Sequence, residues 1–469
     1  MVVKTRFCPS PTGLMHLGNT RTALFSALYA QNQQGTFLLR IEDTDKSRSQ
    51  RHLAEGLMHD LRWLGLQWQE GPGAEQGHVS YWQSERQAIY DQFYGCLEEK
   101  GLAYPCFCTE EQLSLTRKVQ QASGQAPRYP GTCRDLSVEQ IKQNFAAGLS
   151  ATLRFRVPDN EIVEFEDLVD STQRFVTKDI GDFIIRRGDG TSPFTFCNAI
   201  DDALMGITHV LRGVDHLTNT PRQILILRAL ELPVASYGHI SLIVGPDNSP
   251  LSKRNGSRSV QELREQGYLP NAIINYLARL GHHYEQSGYM ELAELAQDFS
   301  LSALNRSPAH FDAEQLLYWQ KEAIIQTPTQ LLWEWIGDTV QQQIPLALRD
   351  DFINTIKPNI IFPHDALVWA EILFNEKISY DASVLSDLKT VPEQFFQIAQ
   401  QAVEHYDDDY QKITDHLKST LDLKGKALFQ PLRLSLTGKM HGPELAAIFS
   451  LLGKEKILSR FKQASYLLK

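Results

Sequence analysis

Two short polar segments carry residues that could do chemistry: Pro9-Ser-Pro-Thr-Gly-Leu-Met-His-Leu-Gly-Asn19 and, far along the chain, Pro250-Leu-Ser-Lys-Arg-Asn-Gly256. In the first, His16 and Gly18 stand just before a helical pattern, where unpaired backbone N–H groups and the helix dipole favour a phosphate. A side chain at Gly18 would obstruct a flat base, and His16 could donate to a phosphate oxygen as charge builds up there. A histidine that merely caps a loop is the competing reading. The second segment reads as a polar loop on which Lys253 could close over a triphosphate and stabilise departing pyrophosphate. A solvated basic turn is its bland alternative. Together they read as two halves of an ATP site.

The elements that must position these residues are legible around the first segment. Val2-Val-Lys-Thr-Arg-Phe7 is strand-like, Ala23, Leu24, Ala27 and Leu28 share a helix face, and Phe37-Leu-Leu-Arg-Ile41 is a second apolar run after Gly35. Strand, loop, helix and strand imply a right-handed crossover into a parallel sheet, which binds ligands at the strands' carboxyl ends. No Gly-x-Gly-x-x-Gly follows the first strand, so a dehydrogenase is disfavoured.

With 469 residues, 42% hydrophobic and 22% charged, the chain suits about three soluble domains. It has no apolar run long enough for a membrane span and no signal-peptide core, so a cytoplasmic location is expected. The net charge of −10 argues against indiscriminate nucleic-acid binding. Leu421–Lys469 is an exception, with nine Lys or Arg against Asp422, Glu444 and Glu455. That balance fits an RNA-facing end, and equally a solvated helical surface.

The six cysteines are expected to be reduced in such a compartment. Cys106-Phe-Cys108 and Cys133-Arg-Asp135 make two x-spaced pairs that could complete a tetrahedral zinc site. Buried free thiols are the alternative.

Arg6-Phe-Cys-Pro-Ser-Pro-Thr-Gly13, His16-Leu-Gly-Asn19, Arg40-Ile-Glu-Asp-Thr-Asp45, Leu211-Arg-Gly-Val-Asp-His216, Thr220-Pro-Arg-Gln223 and Leu251-Ser-Lys-Arg254 occur in this order. In that ordered set the chain resembles the bacterial glutamyl-tRNA synthetases. Similarity continues through Gly267-Tyr-Leu-Pro270 and Asn275-Tyr-Leu-Ala-Arg-Leu-Gly281 to Pro431-Leu-Arg433 and Leu436-Thr-Gly438, essentially the whole chain.

The resemblance implies an α/β Rossmann-like catalytic domain with an inserted α+β acceptor-binding domain, followed by an all-α anticodon-binding region. On this sequence the catalytic halves fall at 1–100 and 186–245, the insertion at 101–185, the lysine loop and stem-contact region at 246–315, and the helical region at 316–469. ATP would be held by Pro9, Thr12, Gly13, His16, Gly18 and Asn19 with Ser252, Lys253 and Arg254, His16 and Lys253 being catalytic. Free glutamate carries two carboxylates and one ammonium, so its site needs two cations and an anion. Arg6 and Arg212 fall where the family places carboxylate ligands and Glu42 where it places the ammonium ligand, with Ser10 and Asn198 adjoining. Structural ion pairs are the alternative for each.

The implied reaction has two steps. The glutamate α-carboxylate attacks the α-phosphorus of ATP to give glutamyl-adenylate and pyrophosphate, with Mg2+ shielding the phosphates; a ribose hydroxyl of the tRNA's terminal adenosine then takes the acyl group. The expected partners are tRNA(Glu), with tRNA(Gln) as alternative or additional acceptor, and no membrane; the expected state is a monomer holding one structural Zn2+. The resemblance also implies that tRNA must be present before adenylate forms. Pro250, Asn255, Phe194, Val214 and Asp135 depart from the family's usual Lys, His, Tyr, Glu and His. One loop charge and one pocket hydroxyl are thereby lost. A small-molecule adenylating enzyme shares the His-x-Gly loop but would not need the helical, basic C-terminal third. A non-enzymatic tRNA-binding paralogue would not need the charge-matched pocket.

Overall fold

The computed structural model describes residues 2–45, 47–74, 80–249, 251 and 258–467. Strand β1 (Lys4–Phe7), helix α1 (Leu17–Asn32) and strand β2 (Thr36–Leu39) make the expected crossover, with Lys4 opposite Thr36 and Phe7 opposite Leu39 in a parallel pair. Gly35 serves this turn differently from a helix-ending glycine. The left-handed position is Gln34, at φ 50°, while a Cβ on Gly35 would sit 2.1 Å from the Val3 carbonyl oxygen. The missing side chain lets the turn close against β1, where the Thr36 N–H donates to that carbonyl at 2.9 Å.

Burial of α1 is wider than a one-face stripe, taking in Leu17, Ala23, Leu24, Phe25, Leu28 and Ala30. On the side away from the sheet, Phe25 lies 5.4 Å from Phe299 between ring centroids, and Asn32 donates to the Ala296 carbonyl at 3.0 Å. A helix covered on both sides is rigid, so its N-terminus is a fixed reference for a ligand.

Helices α2 (Arg51–Trp63) and α3 (Gln87–Glu99) follow. An antiparallel sheet in the order β3 (Ala103–Cys106), β4 (Thr152–Phe155), β7 (Phe183–Arg186) then comes with a hairpin of β5 (Ile162–Phe165) and β6 (Gln173–Val176). Between these strands lie α4 (Glu110–Ala122), α5 (Val138–Ala146) and the short α6 (Thr177–Ile180). Reciprocal capping boxes, Thr109 with Gln112 and Ser137 with Gln140, start α4 and α5 sharply.

The parallel sheet resumes after α7 (Phe194–Leu204) with β8 (His209–Gly213), α8 (Thr220–Ala229) and β9 (Ser236–Ile240). β8 and β9 run parallel with Arg212 opposite His239, and the Thr208 N–H donates to the Lys4 carbonyl at 2.9 Å, which sets β8 beside β1. The carboxyl ends of β1 and β8 and the N-terminus of α1 therefore converge.

Two compact units result: one runs to Leu263 and includes Ile273–Ala313, the other combines Arg264–Ala272 with the chain from Glu314. Among the described residues of the second unit there is no strand; helices run from Ala313–Gln326 to Leu445–Leu467. The segments Leu316-Leu-Tyr-Trp319, Leu331-Leu-Trp-Glu-Trp335 and Leu445-Ala-Ala-Ile-Phe449 have helical apolar spacing, for which core packing is the default. Leu316, Trp319, Leu332, Ile448 and Phe449 are core residues, whereas Tyr318 and Leu331 are exposed. Several C-terminal cations have local work. Arg460 is fully buried with its Nη2 at the Asn375 carbonyl, Lys456 donates to the Phe374 carbonyl at 2.8 Å, and Arg433 to that of Pro443 at 2.8 Å. Among the described residues, no helix is long and apolar enough to cross a membrane.

Candidate active site

A cleft of about 390 Å3 opens at the convergence of β1, β8 and α1. Arg6 and Cys8 to Ser10 come from β1 and its loop, Gly18 and Asn19 from the start of α1, Asn198 from α7 and Arg212 from β8. The first turn of α1 holds no acidic side chain, so its positive end is not neutralised from within. A Cβ on Gly18 would meet no atom within 4 Å, which places that glycine against open cleft. His16 is the residue preceding the helix.

The residues expected to hold glutamate, Arg6, Ser10, Glu42, Asn198 and Arg212, all line this cleft, together with Pro9, Thr12, Gly18 and Asn19 of the ATP set. Gly13 is exposed on the neighbouring bend, and neither it nor His16 is part of the lining. Ser252, Lys253, Arg254 and Pro250 lie outside the described residues.

Beneath the cleft is a buried ion network that motif reading did not foresee. Asp202 accepts from Arg6 Nε at 3.3 Å and from Arg40 Nη2 at 2.8 Å. Asp201 accepts from Arg86 Nε at 2.8 Å, Gln83 at 2.9 Å and the Tyr90 hydroxyl at 2.7 Å. Burial would raise the Asp202 pKa, but Arg6 and Arg40 hold it below the ordinary carboxylate value. Arg6, read from sequence as a carboxylate ligand, is thus already committed to a protein carboxylate, and its Nη2 reaches Asn198 only at 3.5 Å. The signal for this network is Asn198-Ala-Ile-Asp-Asp202, paired acids inside an otherwise apolar helix.

Glu42 and Arg212 differ from that network. Burial pushes the Glu42 carboxyl up to about 7 against the pull of Arg40 and Arg6, and it accepts a close hydrogen bond from Asn198. Arg212 is buried beside Thr220 and His239, with Nη2 donating to the Thr220 hydroxyl at 2.6 Å. Among the described residues its Nη1 has no hydrogen-bond partner, and burial lowers its pKa to about 10. A buried guanidinium with an unmatched donor beside a cleft is suited to an anionic ligand. Arg21 is a second such cation, giving Nη1 to the Leu280 carbonyl at 2.8 Å and leaving Nε without a partner among the described residues. Phe194 packs its ring 5.1 Å from that of His216 in the cleft lining.

The cysteine pairs are brought together only in part. Cys106, Cys108 and Cys133 place their sulfurs within 4.8 Å of one another. Asp135 is not with them: its side chain is 86% exposed and pairs with Arg156 at 3.4 Å. The backbone turns at Thr132–Asp135, so residues two apart do not share a face as they would in a strand. Tyr129 stands there instead. Its hydroxyl is 3.3 Å from Cys106 Sγ and 3.7 Å from Cys108 Sγ, and accepts the Cys133 N–H at 2.8 Å. Burial alone would raise the Cys106 thiol, but hydrogen bonds from Tyr129 and Arg154 bring it down to about 7. Three thiols converging with one oxygen is a donor set that fits zinc.

Comparison with known proteins gives the geometry its context. Residues 2–318 match the family model for class I tRNA synthetases (E and Q), catalytic domain, and residues 291–465 match an anticodon binding domain. The chain is 56% identical over 463 residues to glutamate–tRNA ligase 2 of Coxiella burnetii, covering 99% of this chain and 100% of that one. It is 54% identical to glutamate–tRNA ligase 2 of Nitrosococcus oceani, covering 98% of each. The crystal structure of a glutamate tRNA ligase from Elizabethkingia meningosepticum in complex with its amino acid superposes with a TM-score of 0.90 at 28% identity, covering 100% of both chains.

Proposed function

The chain belongs to the class I tRNA synthetases for glutamate and glutamine and attaches glutamate to tRNA with ATP, and we propose that Arg212 and Glu42 are the two charges that select the amino acid. The observation that carries this reading is the unmatched Arg212 Nη1 beside the cleft that also holds Glu42. Arg212 would take a glutamate carboxylate and Glu42 the ammonium, while Arg6, held by Asp202, would form part of the cleft wall. A glutamine side chain would offer the guanidinium an amide with a donor edge in place of a second oxygen, which disfavours it.

ATP would lie along the His16–Asn19 end of α1, its phosphates against the uncompensated helix terminus, with Lys253 approaching from the other segment. Class I synthetases use ATP with Mg2+, which would shield the phosphate charge. The protein's own contribution is then alignment and charge stabilisation; no side chain need become covalently attached. Residues 101–185 would hold the acceptor end, 246–315 the stem and 316–469 the anticodon, in a cytoplasmic protein. tRNA(Glu) is the proposed acceptor. Cys106, Cys108, Cys133 and Tyr129 would hold one structural zinc that pins the end of β3 to the Tyr129–Cys133 turn.

Aminoacylation of tRNA(Glu) by Arg212→Gln tests the reading. Stripping one partner from a buried charge pair costs about 2–5 kcal/mol, so kcat/KM for glutamate should fall by about 30-fold or more. An unchanged KM for glutamate in this variant would refute the assignment. Running tRNA(Gln) in the same assay decides whether glutamine tRNA is also charged.

A further inference from the structure

We propose that Asp167, His239 and Thr220 form a buried hydrogen-bond relay that aims Arg212 into the cleft, making Asp167 and His239 positioning residues for glutamate recognition. The inference rests on Arg212 being a glutamate ligand.

Asp167 follows β5, and its backbone makes a parallel bridge to Tyr237 in β9. Its Oδ1 accepts from the backbone N–H groups of Val169 at 2.9 Å, Asp170 at 3.0 Å and His239 at 3.2 Å. Its Oδ2 makes a close hydrogen bond with His239 Nδ1. Carboxylate oxygens only accept when ionised, so the imidazole carries its proton on Nδ1. Burial also holds His239 below its usual pKa, against the pull of Asp167, which keeps Nε2 bare.

Nε2 must therefore accept. The Thr220 hydroxyl lies 2.9 Å from it and Arg212 Nε 3.4 Å. Because Thr220 Oγ1 already accepts from Arg212 Nη2 at 2.6 Å, its own O–H is the group that donates to the ring. Every donor and acceptor is thus assigned, and Arg212 is gripped along its Nε and Nη2 edge with Nη1 left over.

The device has a physical purpose. Arg6 is bound directly by Asp202, and its charge is largely answered within the protein. Arg212 is held by a neutral imidazole and a hydroxyl, with the carboxylate of Asp167 one ring away. Orientation is fixed without cancelling the charge the ligand must meet.

Asp167→Asn is a near-isosteric test. Its amide oxygen can keep the three backbone donors, but its NH2 then faces Nδ1 and drives the ring proton to Nε2, against Thr220 and the Arg212 N–H. Loss of hydrogen bonds to a charged group predicts a rise of about 10- to 100-fold in KM for glutamate, with KM for ATP unchanged within about twofold. Thr220→Val should raise the glutamate KM similarly and Thr220→Ser should restore it, which tests the relay even if the Asp167 variant folds poorly. A glutamate KM at the parent value in Asp167→Asn, a parallel rise in both KM values, or equal behaviour of the two Thr220 variants overturns the relay. With Arg212→Gln measured alongside, a defect there without one in Asp167→Asn removes only the relay. No defect in either removes the Arg212 reading itself.

Discussion

The Tyr129 hydroxyl lies 3.3 Å from the Cys106 sulfur, filling the place beside the thiols that spacing assigns to Asp135. One zinc per chain is therefore expected by elemental analysis of purified protein. Cys133→Ser should lose the metal, while Asp135→Ala should retain full stoichiometry and Tyr129→Phe should release it faster to a chelator. Zinc retained by Cys133→Ser, or lost from Asp135→Ala, would contradict the ligand set.

Glu42 makes a pH prediction. Only its ionised form can pair with the substrate ammonium, and burial places its pKa at about 7 in the free enzyme. Accordingly kcat/KM for glutamate should fall as pH drops through about 7, approaching tenfold per unit below it. In Glu42→Gln that acid limb should vanish, leaving a low value at every pH. A variant that keeps the parent's limb assigns the titration to another group.

Asp202 should matter more to stability than to specificity. Removing its carboxylate by Asp202→Ala leaves Arg6 and Arg40 buried without their shared partner. Breaking such a pair costs about 3–5 kcal/mol, so the urea midpoint of the first unit should fall markedly. Arg212→Gln, which breaks no ion pair among the described residues, should unfold near the parent midpoint. Equal midpoints for the Asp202 variant and its parent would remove the network's structural role.

Gly35→Ala tests the packing of the first crossover. The added methyl would stand 2.1 Å from the Val3 carbonyl oxygen, so either the turn or β1 must shift. A thermal melt should show a loss larger than the roughly 1 kcal/mol usual for substitutions. Gly18→Ala, whose methyl would meet no protein atom within 4 Å, should melt normally but raise KM for ATP.

How far sequence reached can be judged from particular residues. β1, α1 and β2 were legible because a strand, a helix and the loop between them are local patterns, and the ordered motifs picked out Arg6, Ser10, Glu42, Asn198 and Arg212, which all line one cleft. Asp202 was not legible as a partner, since it pairs with Arg6 across 196 positions and nothing local marks the match. Asp135 failed for a different reason: x-spacing places two residues on one face only in extended chain, and here the backbone turns. The lysine loop lies outside the described residues, so Lys253 rests on its motif alone.

The buried Arg460 and the carbonyl-bound Lys456 and Arg433 bear on how this protein would meet an RNA. Counterions are released when a cation takes over a phosphate, and that release sets how steeply affinity falls with salt. A guanidinium sealed among carbonyls displaces none. The ionic-strength dependence of tRNA binding by this end of the chain should therefore be gentler than its composition suggests, with correspondingly more of the affinity left to stacking and shape.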